Sequence, residues 1–279
     1  VLGHAGFMSV GAYAAALFTM YSGLPTMASF PLALLIGGIV AAAFGVIIGV
    51  PALRLKGDYL AILTLGFGEI VRVWSLATPF TGGAAGLSGI PLLTTFTYVF
   101  IVAILTVAVI FAFIHSRHGR AVIAIREDEI AAQSMGLNLF RYKELSFVIS
   151  SFFTGVGGGM LAMFMRSIDS KTFQVALTYD LLLIVVLGGI GSVTGSVLGA
   201  FLVTSGRELL RFFDDPLTIA GVHIPLFRSG FRMVIFSILL MAVVLFYSRG
   251  IMGNKEFSWE GLFRLIRGIP HKLKGKKKK

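Results

Sequence analysis

The chain has 279 residues, 56% of them hydrophobic and 13% charged, with a mean hydropathy of +0.90. Soluble domains carry about 25% charged residues, so this composition excludes a water-soluble globule and makes lipid the solvent. The absence of cysteine excludes disulfides and thiolate metal sites, and the net charge of +11 is concentrated in the tail, where residues 249–279 hold ten basic and two acidic side chains.

Apolar segments recur along the whole chain, unlike the single short apolar region of a secretory signal. The pattern is that of an all-α polytopic membrane protein, a bundle of about six to eight transmembrane helices. A spanning helix needs about 20 mostly apolar residues. The first candidate covers residues 3–21 and the second 30–53; residues 1–53 contain no Asp, Glu, Lys or Arg. The chain starts at Val1 without a methionine and already inside an apolar helix pattern. The expectation is therefore a trimmed N-terminus with helices missing before it. His4 stands near the start of the first span, as polar pore lining or as a packed histidine.

A short polar link, residues 54–58, precedes the third span over 59–76. Gly57-Asp58 before an apolar run reads as a helix N-cap. Glu69 and Arg72 lie inside this span, and charges at membrane depth are costly and mark function. Being three residues apart, they share a helix face and can pair. They either line a polar path or hold helices together. A neutral Gly-rich loop, TGGAAGLSGIP (81–91), separates this span from the fourth, residues 94–114.

The longest charged loop follows, residues 115–145. It carries Arg117, Arg120, Arg126, Arg141 and Lys143, so the positive-inside rule makes it cytoplasmic. Three of the chain's 13 acidic residues are adjacent in it, within REDEIAAQSMG (126–136). Glu127, Asp128 and Glu129 stand where a helix start favours negative charge. Gly136 stands where a C-terminal cap needs positive φ. A helix of about two turns is marginal alone in water, so it must pack against something. Ala131 and Ala132 allow close approach. A short, acid-led, small-faced helix on the cytoplasmic side has the form of a docking element.

The fifth span is expected over 146–165. The next apolar stretch, 181–204, is interrupted by GGIGSVTGS, with Gly188, Gly189, Gly191 and Gly195 within eight residues. A single crossing here would put the basic tail outside, against the positive-inside rule. Two half-helices that dip in and return keep it inside, and broken helices are tolerated where protein or a cavity surrounds them. The alternative is a Gly-rich packing helix. Asp180, before LLLIVV, reads as another N-cap. The last span covers 230–247. Beyond it Trp259, Leu262, Phe263 and Ile266 suit a short interfacial helix, and KLKGKKKK suits a cytoplasmic tail at an anionic membrane surface. The division is therefore a transmembrane domain over 1–250, with a cytoplasmic loop at 115–145, and a basic cytoplasmic tail over 251–279.

Nothing in the chain has the pattern of a catalytic site. There is no GxxxxGK[ST] phosphate loop, no HExxH and no GxSxG elbow. His4, His115, His118, His223 and His271 are scattered without metal-ligand spacing. The expectation is no enzyme, no metal and no cofactor in this chain.

The sequence AAxxxG at Ala131, Ala132 and Gly136 resembles the cytoplasmic loop of ABC-importer permeases that forms their coupling helix. It departs from that pattern in two respects: Ile130 holds the position usually taken by Glu, with Glu129 one residue early, and the downstream I-x-LP element of the longer motif is absent. With VLGHAGFMSVGAYAAAL, GDYLAILTLGFGEIVRV, TGGAAGLSGIP, AIREDEIAAQSMGLN and VVLGGIGSVTGSVLGA in order, residues 1–200 resemble the branched-chain amino acid ABC transporter permease family, in particular its LivM-type subunit. The resemblance implies a permease subunit of an inner-membrane importer. It also implies a LivH-type permease partner, two cytoplasmic ATP-binding subunits that hold the ATP, and a periplasmic substrate-binding protein. It implies coupling to the ATPases through Glu127, Asp128, Glu129, Ala131, Ala132 and Gly136. A translocation path past His4, Glu69, Arg72, Gly188, Gly189, Gly191 and Ser192 is the accompanying expectation. Members carry leucine, isoleucine and valine, and relatives carry other amino acids, urea or short amides. A stand-alone secondary transporter or channel for small polar solutes such as urea or amides is the alternative, and a membrane scaffold that recruits partners through its tail is a third.

Overall fold

The computed structural model describes residues 2–55 and 57–210 and, beyond these, 218–219, 222–223, 237–238, 241, 245 and 250–253. The chain divides into two compact units, Val1–Asp180 and Leu181–Lys279. The helices are α1 (His4–Tyr21), α2 (Thr26–Ala52), α3 (Asp58–Ala77), α4 (Phe96–His115), α5 (Arg117–Glu127), α6 (Glu129–Ser134), α7 (Leu139–Met165), α8 (Val175–Gly188) and α9 (Val193–Leu209). Four of the described helices, α2, α3, α4 and α7, are long and apolar enough to cross a membrane, and a fifth span results if α8 and α9 are taken together. The last predicted span and the basic tail lie mostly outside the described residues, although 237, 238, 241 and 245 are helical.

The predicted first span, α1, is the helix whose surroundings explain its sequence. It packs on α2, α3 and α7, and Gly6, Gly11, Ala12, Ala15 and Ala16 are buried. A Cβ on Gly11 would collide with the backbone of Gly155, and one on Gly158 with the carbonyl of Met8. A Cβ on Gly37 of α2 would lie 2.7 Å from the Gly11 carbonyl oxygen. In lipid there is no hydrophobic drive between helices, so close backbone packing at small residues holds them together. The first residues of α1 have no side-chain cap of their own. Their amides are met from elsewhere: Leu2 N–H donates to Thr64 Oγ1 at 3.2 Å, and Ala5 N–H to Thr178 Oγ1 at 3.1 Å.

The Gly-rich loop is folded rather than open. It forms two 3₁₀ turns, Pro79–Thr81 and Gly83–Ala85, then a short strand β1 (Leu87–Ser88) antiparallel to β2 (Ser167–Ile168). Gly82 (φ 83°) and Gly86 (φ 77°) supply the left-handed turns. Ile90 is fully buried and its N–H donates to the Arg166 carbonyl at 3.1 Å. After β2, Asp169 accepts from Thr172 N–H (2.9 Å) and Thr172 Oγ1 (2.6 Å). The Thr172 hydroxyl first, then the Thr172 amide and the Lys171 charge, hold its carboxyl below the ordinary value against the opposing effect of burial.

Two predicted caps are corrected. Gly57, with φ 60°, is the N-cap of α3, and Asp58 is its first residue with no side-chain cap bond. Asp180 lies within α8 rather than before it, because the helix starts at Val175. α7 also begins earlier than expected, at Leu139, where Asn138 accepts the Arg141 amide at 3.1 Å.

In the second unit the Gly-rich interruption is a break. The chain bends by 118° between α8 and α9. Gly189 (φ 116°) and Gly191 (φ 103°) make the turn, and Ser192 caps α9 by accepting the Gly195 amide at 3.0 Å. A Cβ on Gly188 would strike the Gly195 carbonyl, and one on Gly199 would lie 2.5 Å from the Ile184 carbonyl oxygen. The last carbonyls of α8 lack helical partners, and the backbone of 250–252 reaches them. Ile251 N–H donates to Leu187 O at 2.9 Å and Met252 N–H to Gly188 O at 3.1 Å. A second short pair, β3 (Thr218–Ile219) with β4 (Val222–His223), belongs to the same unit.

Candidate functional site

The acid cluster divides between two helices. Glu127 ends α5 and pairs with Arg126 at 2.9 Å, so it does not start the docking helix as expected. Asp128, with φ −152°, is the break and the cap: its carboxylate accepts the amides of Ile130 (2.9 Å) and Ala131 (3.0 Å). Glu129 is the first residue of α6. At the other end Gly136 takes φ 81°. Its amide donates to Gln133 O at 2.9 Å and the Leu137 amide to Ala132 O at 3.2 Å, the paired bonds of a Schellman cap. Six residues are too few to be helical in water alone; two caps hold them.

A third fastening is tertiary. Lys143 Nζ of α7 donates to Glu129 Oε1 at 2.5 Å. Ala132 is buried against its own chain, which corrects the expectation that both alanines form the docking face. The outward face holds Ala131 with Ile130, 80% exposed, and Met135, 84% exposed. Two large apolar side chains stand out from a charged loop.

Beneath α6 lies a cavity of about 520 Å³. Arg126, Glu129 and Lys143 stand at its charged end, Val122, Ile125, Leu53, Phe7 and Phe147 form apolar wall, and His4 also lines it. α7 contributes from Tyr142 to Thr154, a run of about 18 Å at 1.5 Å per residue. Ser146, Ser150 and Thr154 recur every fourth residue along it, so they share one helix face.

His4 and Glu129 thus line the same cavity. Glu69 and Arg72 are not among the lining residues. They form their own pair, Arg72 Nε to Glu69 Oε2 at 2.7 Å, roughly two-thirds shielded. Gly188, Gly189, Gly191 and Ser192 build the turn of the second unit, where their observed work is close packing and capping. Among the described residues no three His, Asp or Glu side chains are placed to hold a metal.

Sequence reasoning missed Glu144. Both its carboxyl oxygens are enclosed without a hydrogen-bond partner, lying against Gly49 of α2, where a Cβ would come within 2.5 Å of Oε2. The signal was available: Asn138 is a capping residue, and the helix it opens carries Glu144 into the bundle.

The model of the family described as branched-chain amino acid transport system / permease component matches residues 1–244. The chain is 40% identical to the high-affinity branched-chain amino acid transport permease protein LivM of Salmonella typhimurium, over 77% of this chain and 58% of that protein. It is 39% identical to the Escherichia coli LivM protein with the same coverage. The chain therefore spans little more than half the length of these relatives. A guanosine ABC transporter permease protein, NupQ of Bacillus subtilis, is 26% identical over 82% of this chain and 76% of its own length. No solved structure matches. With the family model covering residues 1–244 and the helical bundle that carries its blocks, the chain belongs to the branched-chain amino acid transport system permease family.

Proposed function

We propose that this chain is the LivM-type permease subunit of an ABC importer for branched-chain or related amino acids. The observation that carries this reading is α6: capped at both ends, fastened to α7, and leaving Ile130 and Met135 exposed on a charged loop. An exposed apolar pair on an ordered element marks a protein-binding surface. ATP-binding subunits on the cytoplasmic side are its partners. They hold the ATP, and the chain needs no cofactor of its own and is not an enzyme.

The remaining partners are a homologous LivH-type permease in the membrane and a periplasmic substrate-binding protein. The location is the bacterial inner membrane, with the 115–145 loop and the C-terminus cytoplasmic, as the distribution of Lys and Arg favours. Residues 1–250 act as the permease domain and 251–279 as its basic tail. Glu129, Asp128, Ala131, Ala132 and Gly136 serve coupling by building and fastening α6, with Glu127 ending the helix before it. The names of the LivM relatives support leucine, isoleucine or valine as cargo; that of NupQ supports a wider range within the family.

The test is co-purification and uptake. Tagged chain expressed with its neighbouring transport subunits should retain an ATP-binding subunit in mild detergent. The reconstituted complex should take up labelled leucine on ATP addition, in preference to guanosine or urea. A chain that never retains an ATPase and still moves solute would be the stand-alone transporter instead.

A further inference from the structure

We infer that the cavity beneath α6 is a solute chamber on the cytoplasmic half of the path, shaped for a small molecule with an apolar body and two opposite charges. This rests on the permease reading, which it deepens by giving the solute a place. The chemistry of the wall is the argument. Ligand sites are mostly apolar, with a few convergent polar groups, in volumes of about 300–1,000 Å³. This cavity, about 520 Å³, has Phe7, Leu53, Ile125 and Phe147 as apolar wall and Arg126, Lys143 and Glu129 at one end. Lys143 is already joined to Glu129 at 2.5 Å and Arg126 to Glu127 at 2.9 Å; the carboxylate and ammonium of a zwitterion can join such charge-assisted pairs.

The hydroxyl row adds a second, independent observation. Ser146 Oγ donates to Tyr142 O at 3.0 Å and Thr154 Oγ1 to Ser150 O at 2.8 Å. Each spends its proton on its own helix and keeps acceptor capacity. Polar side chains in membrane helices turn toward a bundle interior or a watery cavity. Here Ser146, Ser150 and Thr154 all turn toward the same one, and with His4 they continue it inward from the charged end. A zwitterion moving along α7 meets hydroxyl oxygens on one side and apolar surface on the other.

The lack of cysteine makes a direct test possible. Ser150→Cys and Thr154→Cys are made singly in the full transporter complex, with Arg117→Cys at the exposed start of α5 as control. Labelling of this chain by a small charged methanethiosulfonate is timed in membranes with ATP, with and without leucine. At ten times its half-saturating concentration leucine should slow labelling at Ser150→Cys and Thr154→Cys about tenfold by mass action and leave Arg117→Cys unchanged. Equal rates with and without leucine, in a wild-type complex that takes leucine up, overturn the chamber and leave the permease reading intact. A complex that takes up no leucine refutes the substrate assignment; protected thiols would even then support the chamber, and unprotected ones overturn it.

Discussion

Glu129 and Lys143 stand fourteen residues apart in sequence and are joined by an ion pair at 2.5 Å that ties the short helix α6 to the start of the long helix α7. The pair is one-third to one-half exposed, so its contribution to stability is below about 1 kcal/mol. Its position matters more, because it links α6 to α7 side chain to side chain, in addition to the covalent connection through 135–138. Lys143→Met should leave the melting temperature in detergent nearly unchanged and lower ATP-driven uptake about tenfold, a coupling loss of the usual size. The charge swap Glu129→Lys with Lys143→Glu should restore much of it. Uptake at the wild-type rate in Lys143→Met would refute the link.

The two faces of α6 should separate by mutation. Ile130→Asp alters an exposed side chain, so the fold should persist while retention of the ATP-binding subunit drops about 30-fold, as for loss of an interface anchor of about 2 kcal/mol. Ala132→Trp fills a buried position and should cost about 1–3 kcal/mol of local packing. Gly136→Val forces a β-branched residue into φ 81°, at about 1–2 kcal/mol. Proteolysis of the 115–145 loop distinguishes them: faster cutting in Ala132→Trp and Gly136→Val, unchanged cutting in Ile130→Asp. Equal cutting in all three would show that Ala132 is not a packing residue.

Local signals were legible in the sequence and distant ones were not. Asp128 and Gly136 are caps whose geometry is settled within four residues, so REDEIAAQSMG announced its helix. The break at Gly188–Gly191 was legible for the same reason. The partner of Glu129 was not, because nothing local selects Lys143 over other cations in the loop. The Thr64 and Thr178 hydroxyls that cap α1 come from helices far along the chain. α7 was read seven residues short because hydropathy marks where lipid ends, and the helix continues past that boundary through Arg141, Lys143 and Glu144. The inward turn of Ala132 escaped because alanine suits either side of a helix.

Small residues at the α1–α7 crossing should tolerate no side chain. A Cβ on Gly158 would meet the Met8 carbonyl, which backbone cannot yield cheaply. Gly158→Val should abolish recovery of folded protein from membranes, measured as the monodisperse fraction on size exclusion. Gly157, whose added Cβ meets nothing within 4 Å, should accept alanine with normal recovery. The same recovery from Gly158→Val would mean that the helices can separate without cost.

The Asp169–Thr172 contact should make the β1–β2 junction sensitive to acid. The folded carboxyl lies below its unfolded value of about 3.9, so its stabilising contribution is fully present above that value. It is lost as the pH falls through the depressed folded value. Thr172→Val removes the principal cause. The variant should therefore exchange the Ile90 amide faster than wild type at pH 7, and the difference should shrink below about pH 4. A difference that stays constant down to pH 2 would assign the effect to packing.

The backbone bonds from Ile251 and Met252 to the end of α8 also tie two distant stretches of chain to one level. Peptide groups within 2.9–3.1 Å of each other share a depth in the bilayer. Whatever depth the chain takes at 250–253, the end of α8 takes it too. An impermeant label that reaches one stretch should therefore reach the other, and a movement that separates them must break both bonds.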